Sequence, residues 1–317
     1  MKNVFIVNNT AGGGKFTVSL LPQIESYFCD NGGEYIIEPT RCVGHATEIA
    51  RKYAQLGEPV RIYACGGDGT LHEVLNGIVG FDNVELGAFP CGTGNDYVAS
   101  FGDRDLFMNV ASQVGGQSVC VDVISAAGQY SLNQCSMGFD AAVADNVIRF
   151  KGKKHISGSM AYLLAILDTL GGKISNRLTV SVDDGEEMEG EFLFAISAKD
   201  KYHGGGIMSA PSASPVSRML NFMIVRKVSK PRFVTLLPKY MKGRHTDIHD
   251  IVLNLHGRKM TVKAERKLPV TLDGEVVFAD LLVTEIVPSA VKFILPCELA
   301  DKFERHTRVK EAVSAGV

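Results

Sequence analysis

Short apolar runs recur along the first third of the chain, each followed by a glycine-rich or polar loop and then a helical pattern. Val4–Asn8 runs into Ala11-Gly-Gly-Gly-Lys15. Val18, Leu21, Ile24 and Phe28 then fall on one helical face, until Asn31-Gly32-Gly33 ends it. Tyr35–Glu38, Val60–Cys65 and Leu86–Phe89 predict strands; Ala46–Leu56, Thr70–Val79 and Leu106–Gly115 predict helices. This alternation predicts a mostly parallel sheet covered by helices. Ligands bind at the carboxyl ends of strands in such sheets, where the loops here are richest in glycine.

After about residue 120 the pattern turns to short strands with glycine and charged turns. Val119–Ile124, Tyr130–Met137, Leu178–Val182, Gly190–Ala198, Leu220–Val225, Asp250–His256, Lys259–Ala264, Leu268–Leu272, a run from Phe278 and Ala290–Leu295 predict an antiparallel sandwich-like or barrel-like unit. Helices are expected within Lys154–Leu170 and from Pro231 to Gly243. The expected division is an α/β domain over residues 1–125, completed by 297–317, and a β-rich domain over 126–296.

Composition narrows the partners. The 317 residues carry 33 basic and 35 acidic side chains, a net charge of −2, so no global excess of positive charge points to nucleic acid. The seven cysteines are scattered without metal-site spacing, which predicts a reducing, cytoplasmic setting with mostly buried thiols. The longest helical apolar stretch, Met160–Leu170, is too short to span a bilayer and contains Asp168. The opening residues lack a signal-peptide cleavage pattern, so any membrane contact is expected to be peripheral.

Two loops carry candidate chemistry. Gly66-Gly67-Asp68-Gly69-Thr70 follows a strand and opens a helix; its glycines let the backbone approach a ligand, and its N–H groups can hold phosphate oxygens. Asp68 suits a Mg²⁺ ion or its waters. The simpler alternative is a tight turn with Asp68 or Thr70 capping the helix. Gly92-Thr93-Gly94-Asn95-Asp96 repeats the design one strand later, and two such loops in successive units point more firmly to a site. Asn8 and Gly12–Lys15 add a third loop, which is not a P-loop because Phe16 follows Lys15. Asp122 lies inside an apolar strand, where a carboxylate needs a partner, a metal or an edge facing water. Asp273-Gly274-Glu275 reads as a hairpin turn or, alternatively, as a place where Glu275 acts as a general base.

Together these motifs resemble the diacylglycerol kinase catalytic-domain family in its bacterial lipid-kinase branch, related to sphingosine kinases and more distantly to NAD kinases. The resemblance rests on Asn8 with Gly12–Lys15, Thr40 with Gly44-His45-Ala46, Gly66–Thr70, Pro90 with Gly92–Asp96, Asp122, Asn133 with Gly138-Phe139-Asp140, Gly206-Ile207-Met208, Pro211, Ala213 and Leu272–Glu275. It implies ATP in a cleft between the two domains, surrounded by Asn8, Gly12, Lys15, Thr40, Gly66, Gly67, Gly69, Thr70, Gly92, Thr93, Gly94 and Asn95. It further implies a Mg²⁺–water network organised by Asp68, Asp96 and Asp122, and Glu275 as the base on a lipid hydroxyl with Asp273 beside it. The acceptor would be diacylglycerol or a related lipid, met transiently at the inner face of the plasma membrane; a homodimer is compatible with this. A soluble small-molecule kinase and a non-catalytic nucleotide or lipid sensor remain alternatives. Arg149–Lys154 and Arg226–Arg244 place basic residues beside apolar ones, which suits an anionic membrane surface. One departure stands out. Relatives read Asp-Gly-x-Leu-Asp, with a second, structural Mg²⁺, where this chain reads Ser217-Arg-Met-Leu-Asn221. The expectation is no such ion here, with Arg218 taking part of its space.

Overall fold

The computed structural model describes residues 1–147, 150 and 158–300, with the side chains of 15–17, 158 and 159 left aside. The chain groups into two units, Met1–Val121 with the residues from Val291, and Asp122–Ala290.

The first unit alternates β1 (Lys2–Val7), α1 (Lys15–Asn31), β2 (Tyr35–Pro39), α2 (His45–Ala54), β3 (Val60–Gly66), α3 (Asp68–Ile78) and β4 (Val84–Pro90). Three short helices follow: α4 (Asp96–Ala99), α5 (Arg104–Met108) and α6 (Val110–Val114). The single helix expected over Leu106–Gly115 is therefore split. Asn109 breaks it, with an extended backbone and a side chain that accepts from the Ser112 N–H. The strands run in the order β2-β1-β3-β4, all parallel. Parallel strands are buried on both faces, and β3 and β4 are apolar at nearly every position. On one face Phe5, Tyr63 and Phe89 meet Leu20, Ile24 and Phe28 of α1 and Val110 of α6, with Phe5 and Tyr63 stacked at 4.7 Å. On the other, α2 packs on α3, with Gly77 of α3 close against Thr47 and Ala50 of α2, and Ala46, Ile49, Leu71, Val74 and Leu75 are buried.

β5 (Gln117–Ala126) leads into the second unit. There follow β6 (Gln129–Ser131), β7 (Gln134–Gly138), α7 (Phe139–Val147), α8 (Gly158–Gly171), β8 (Asn176–Val182), β9 (Met188–Ala198), β10 (Tyr202–His203), β11 (Ile207–Met208) and β12 (Leu220–Arg226). α9 (Lys230–Met241), β13 (Val252–Gly257), β14 (Lys259–Leu272) and β15 (Glu275–Leu295) complete the described elements. β9 and β14 each pair with both β7 and β8, always antiparallel. The registers place β7 and β8 end to end between β9 and β14, in a mainly antiparallel order β13-β12-β9-β7-β14-β15, which makes the β-rich, sandwich-like unit expected. Its interior holds Cys135, Met137, Leu178, Val180, Phe222, Ile224, Val262 and Val270. Alternation along β12 explains a second core: Leu220, Phe222 and Ile224 point inward, while Met223 and Val225 meet Phe139, Ile166 and Phe233 of the helices.

Two pairs of expected strands are each continuous. β14 joins Lys259–Ala264 to Leu268–Leu272 across a register shift after Lys263. β15 likewise runs unbroken to Leu295, and Lys292 and Phe293 pair parallel with Glu85 and Leu86 of β4. The return of the chain to the first unit is therefore a fifth parallel strand. Residues 301–317 lie outside the described residues.

Candidate active site

β3 and β4 end side by side, so the two glycine loops leave the sheet together. Cys91 N donates to Gly66 O at 2.8 Å, which ties the end of β4 to the first loop. Gly67 and Gly92 touch through their backbones: a Cβ on Gly92 would lie 2.3 Å from the Gly67 Cα. Only glycine permits that approach.

Asp68 begins α3, and its carboxylate organises the second loop. Its Oδ2 accepts from Asn95 N at 2.6 Å and its Oδ1 from Asp96 N at 2.8 Å. It thus caps the short α4 from outside that helix, while Asn95 adopts the left-handed conformation at φ 60°. Asn95 closes the loop on itself, accepting from Gly92 N at 3.0 Å and donating to Gly92 O at 2.7 Å. Arg104 of α5 donates to Pro90 O at 2.8 Å and fixes the loop from below. Sequence reasoning passed over Arg104, because an arginine in a short helix carries no local sign of the loop it supports.

Electrostatics favour a positive guest. Burial and the neighbouring Asp96 carboxylate raise the Asp68 pKa to about 6, against the lowering effect of the N–H bonds from Asn95, Tyr97 and Asp96. Asp96 is buried and Asp68 half-buried, with no lysine or arginine among the causes of the Asp68 shift. Among the described residues no group of three or more His, Cys, Asp or Glu could hold a metal by itself. A carboxylate pair still suits Mg²⁺, which takes one or two carboxylates and completes its shell with water and substrate phosphates. A small cavity at the loops is lined by Gly66, Gly67, Asp68, Leu71, Pro90, Asn95 and Tyr97.

Asn8 joins this cluster: its Nδ2 donates to Thr70 Oγ1 at 3.1 Å, and its Oδ1 accepts from Thr10. Gly12, Gly13 and Gly14 take left-handed conformations in succession, at φ 58°, 75° and 77°. Lys15 opens α1, but its side chain lies outside the described part. Thr40 follows β2, with its N–H on Val7 O at 2.8 Å. Thr93 is exposed and Gly94 half-buried at the loop tip, where a Cβ on Gly94 would meet Asp68 Oδ2 at 2.8 Å.

The remaining candidates belong to the second unit. Asp273 and Gly274 form a two-residue hairpin turn, both at positive φ, between paired Leu272 and Glu275. The Asp273 carboxylate accepts from Ser131 Oγ, from Leu132 N and Asn133 N at 2.8 Å each, and from Gln134 N at 3.2 Å. Asp273 therefore anchors the hairpin end. Glu275, two residues on, is exposed. Asp122 is buried and accepts from Lys199 Nζ, Arg218 N and Ser289 N. Arg218, expected to take part of the space of a second Mg²⁺, is exposed and gives its backbone N–H to Asp122. The cation against Asp122 is Lys199, which sequence reading missed.

Of the two expected membrane stretches, one lies wholly within the described residues. Arg149–Lys154 lies outside the described residues except for Phe150. In α9, Phe233 is buried and Leu236, Leu237 and Tyr240 pack on the helix core, leaving Val234 and Met241 exposed. Arg232 is paired with Asp250 at 2.7 Å. Among the described residues no helix is long and apolar enough to cross a membrane. Cys29, Cys42, Cys120 and Cys297 are exposed, so the thiols are less buried than expected.

Residues 2–126 match the family described as the diacylglycerol kinase catalytic domain, and residues 133–295 match the YegS C-terminal NAD kinase beta sandwich-like domain. The diacylglycerol kinase of Bacillus subtilis (strain 168) is 28% identical over 309 residues, covering 96% of this chain and 100% of that one. A solved diacylglycerol kinase structure from Bacillus anthracis str. Sterne superposes with a TM-score of 0.70 at 18% identity, covering 94% of this chain and 98% of that one, a likeness of fold. The chain therefore belongs to the bacterial lipid-kinase family that joins a diacylglycerol kinase catalytic domain to a YegS-type β-sandwich domain.

Proposed function

We propose that this protein is an ATP-dependent lipid kinase that transfers the γ-phosphoryl group to the hydroxyl of diacylglycerol or a related lipid. The observation that carries the reading is the pairing of half-buried Asp68 with buried Asp96 at two glycine loops locked together at Gly67 and Gly92. Carboxylates repel phosphate, so such a pair beside phosphate-binding backbone makes chemical sense with Mg²⁺ between them. When bound, the ion would neutralise charge on the transferring group.

Asp68 and Asp96 would orient Mg²⁺ and its waters. Asn8, Thr70 and Thr93 supply hydroxyl and amide groups, and Gly12, Gly66, Gly67, Gly69 and Gly94 supply backbone N–H groups, for the nucleotide, while Gly92, whose N–H is held by Asn95, lets the two loops meet. Thr40, Asn95 and the Lys15 ammonium belong to the same proposed set. Glu275 would take the proton of the acceptor hydroxyl as it attacks phosphorus. Asp273 would act by holding the hairpin that carries Glu275 rather than by exchanging a proton. The lipid acceptor would be met at a membrane surface.

The test is direct. Purified protein is incubated with labelled ATP, Mg²⁺ and mixed micelles of diacylglycerol, ceramide, sphingosine or monoacylglycerol. Label in one of these lipids supports the reading. Label in none of them, with NAD phosphorylated in their place, would assign the chain to the soluble kinases.

A further inference from the structure

The side chain of Lys199 has no exposure to solvent, although lysine is among the residues least often buried. It follows directly on the buried strand run Phe192–Ala198 and sits in the second unit, away from any candidate nucleotide residue in sequence. A buried ammonium persists only if its charge is paired and each of its three N–H bonds finds an acceptor. Lys199 meets both conditions. Its Nζ lies 2.7 Å from Asp122 Oδ2, 2.9 Å from Ser217 Oγ and 3.0 Å from the Met219 carbonyl.

The partner is equally satisfied. Besides Lys199, Asp122 Oδ2 accepts from Arg218 N at 2.8 Å, and Oδ1 accepts from Ser289 N at 2.9 Å. The Asp122 backbone N–H donates to Pro215 O at 2.8 Å. Four segments therefore meet at one ion pair: β5, the residue that follows β9, the 215–219 turn and the stretch of β15 at Ser289. The turn needs the fixing, because Arg218 sits at φ 54°, a left-handed conformation that a side chain adopts at a cost. A carboxylate, a hydroxyl and a main-chain carbonyl around one positive centre also form the donor set that hard divalent cations take.

We propose that Lys199 is a built-in cation: its ammonium fills a metal-type oxygen cage formed by Asp122, Ser217 and Met219, and it makes the second unit independent of a divalent ion at this place. Asp122 is then a positioning residue whose carboxylate is committed to Lys199 and two backbone N–H groups. The inference stands whichever acceptor the enzyme phosphorylates. It also reaches the hairpin of Glu275. Lys199 N and Asp200 N both donate to Asn133 O, at 2.8 and 3.0 Å, and Asn133 N donates to Asp273.

Thermal unfolding of the full chain tests this, with a chelator or with added Mg²⁺ or Ca²⁺, for the wild type, K199A, D122N and K199A/D122N. Lys199→Ala opens the cage and leaves the carboxylate unpaired. Its midpoint should fall by several degrees in chelator and recover on adding the divalent ion, by more than any shift the wild type shows. D122N strands the ammonium and should fall without recovery. The double variant lacks both charges; it should show no recovery and lose less than the two single losses combined. A K199A midpoint no more sensitive to divalent ions than the wild type overturns the proposal, as do strictly additive losses. If K199A does not fold in chelator, its refolding yield from denaturant decides instead. A yield that depends on Ca²⁺ supports the cage, and equal yields with and without it overturn it.

Discussion

The carboxylate of Asp68 holds the backbone of Asn95, with Oδ2 2.6 Å from the Asn95 nitrogen, so one side chain both shapes the second glycine loop and supplies its negative charge. Asp68→Ala should therefore do two things at once. It should abolish phosphotransfer and lower stability by about 1–3 kcal/mol, because two buried N–H groups at the start of α4 lose their acceptor. Denaturant unfolding alongside a turnover assay would separate the two effects, and an unchanged midpoint would argue against the capping role.

The raised pKa of Asp68 sets a pH window. Its folded value of about 6 exceeds its ordinary 3.8, so folding takes up a proton between roughly pH 4 and 6. In the metal-free protein, stability should therefore fall as pH rises through that window, since the ionised pair with Asp96 is the costly form. Mg²⁺-dependent nucleotide binding should run the opposite way, weakening by up to about tenfold per pH unit below 6 as a proton competes with the ion. Calorimetric titration across pH 5 to 8 checks the sign. A pH-independent affinity would place the ion elsewhere.

Gly92→Ala puts a Cβ against the Gly67 backbone, which has no flexible end to move aside. The loops must separate, at an expected loss of about 1–3 kcal/mol. Nucleotide affinity should fall with it, whereas Gly171→Ala, at an exposed position with open space around it and no positive φ, should leave affinity unchanged.

Glu275 and Asp273 should part company on substitution. Glu275 is exposed, so E275Q should leave the melting midpoint within about a degree while lowering turnover about 100-fold or more. Asp273→Ala removes the acceptor for the Leu132, Asn133 and Gln134 N–H groups and should cost about 1–3 kcal/mol of stability. If D273A melts like the wild type but loses turnover, the carboxylate has a chemical role beyond the turn.

The α/β unit was legible in the sequence because fully buried parallel strands read as plain apolar runs, and each ends at a glycine loop. The β-rich unit was legible in outline for the opposite reason, as short alternating strands with charged turns. What stayed hidden was decided at a distance. α7 follows β7 after Gly138 alone, at φ 113°, so no stop signal separates strand from helix. Glu265-Arg-Lys267 looks like a break, yet β14 passes through it by shifting register against β15. The glycine loops announced a site locally, but nothing in them reveals that Asp68 reaches across to cap α4. Lys199 carries no local signal at all, since its three acceptors come from a strand and a turn that only the fold brings to it.

The fifth parallel strand has a consequence for synthesis. Lys292 donates to the Asp82 carbonyl across 210 residues of sequence, and Phe293 stacks on Phe101. As the chain emerges from the ribosome, β4 must wait for almost the whole polypeptide before its open edge is covered. Contacts of such long range form slowly, and an uncovered apolar edge invites aggregation meanwhile. Nascent chains stalled before residue 291 should therefore depend on chaperones far more than chains released after residue 300.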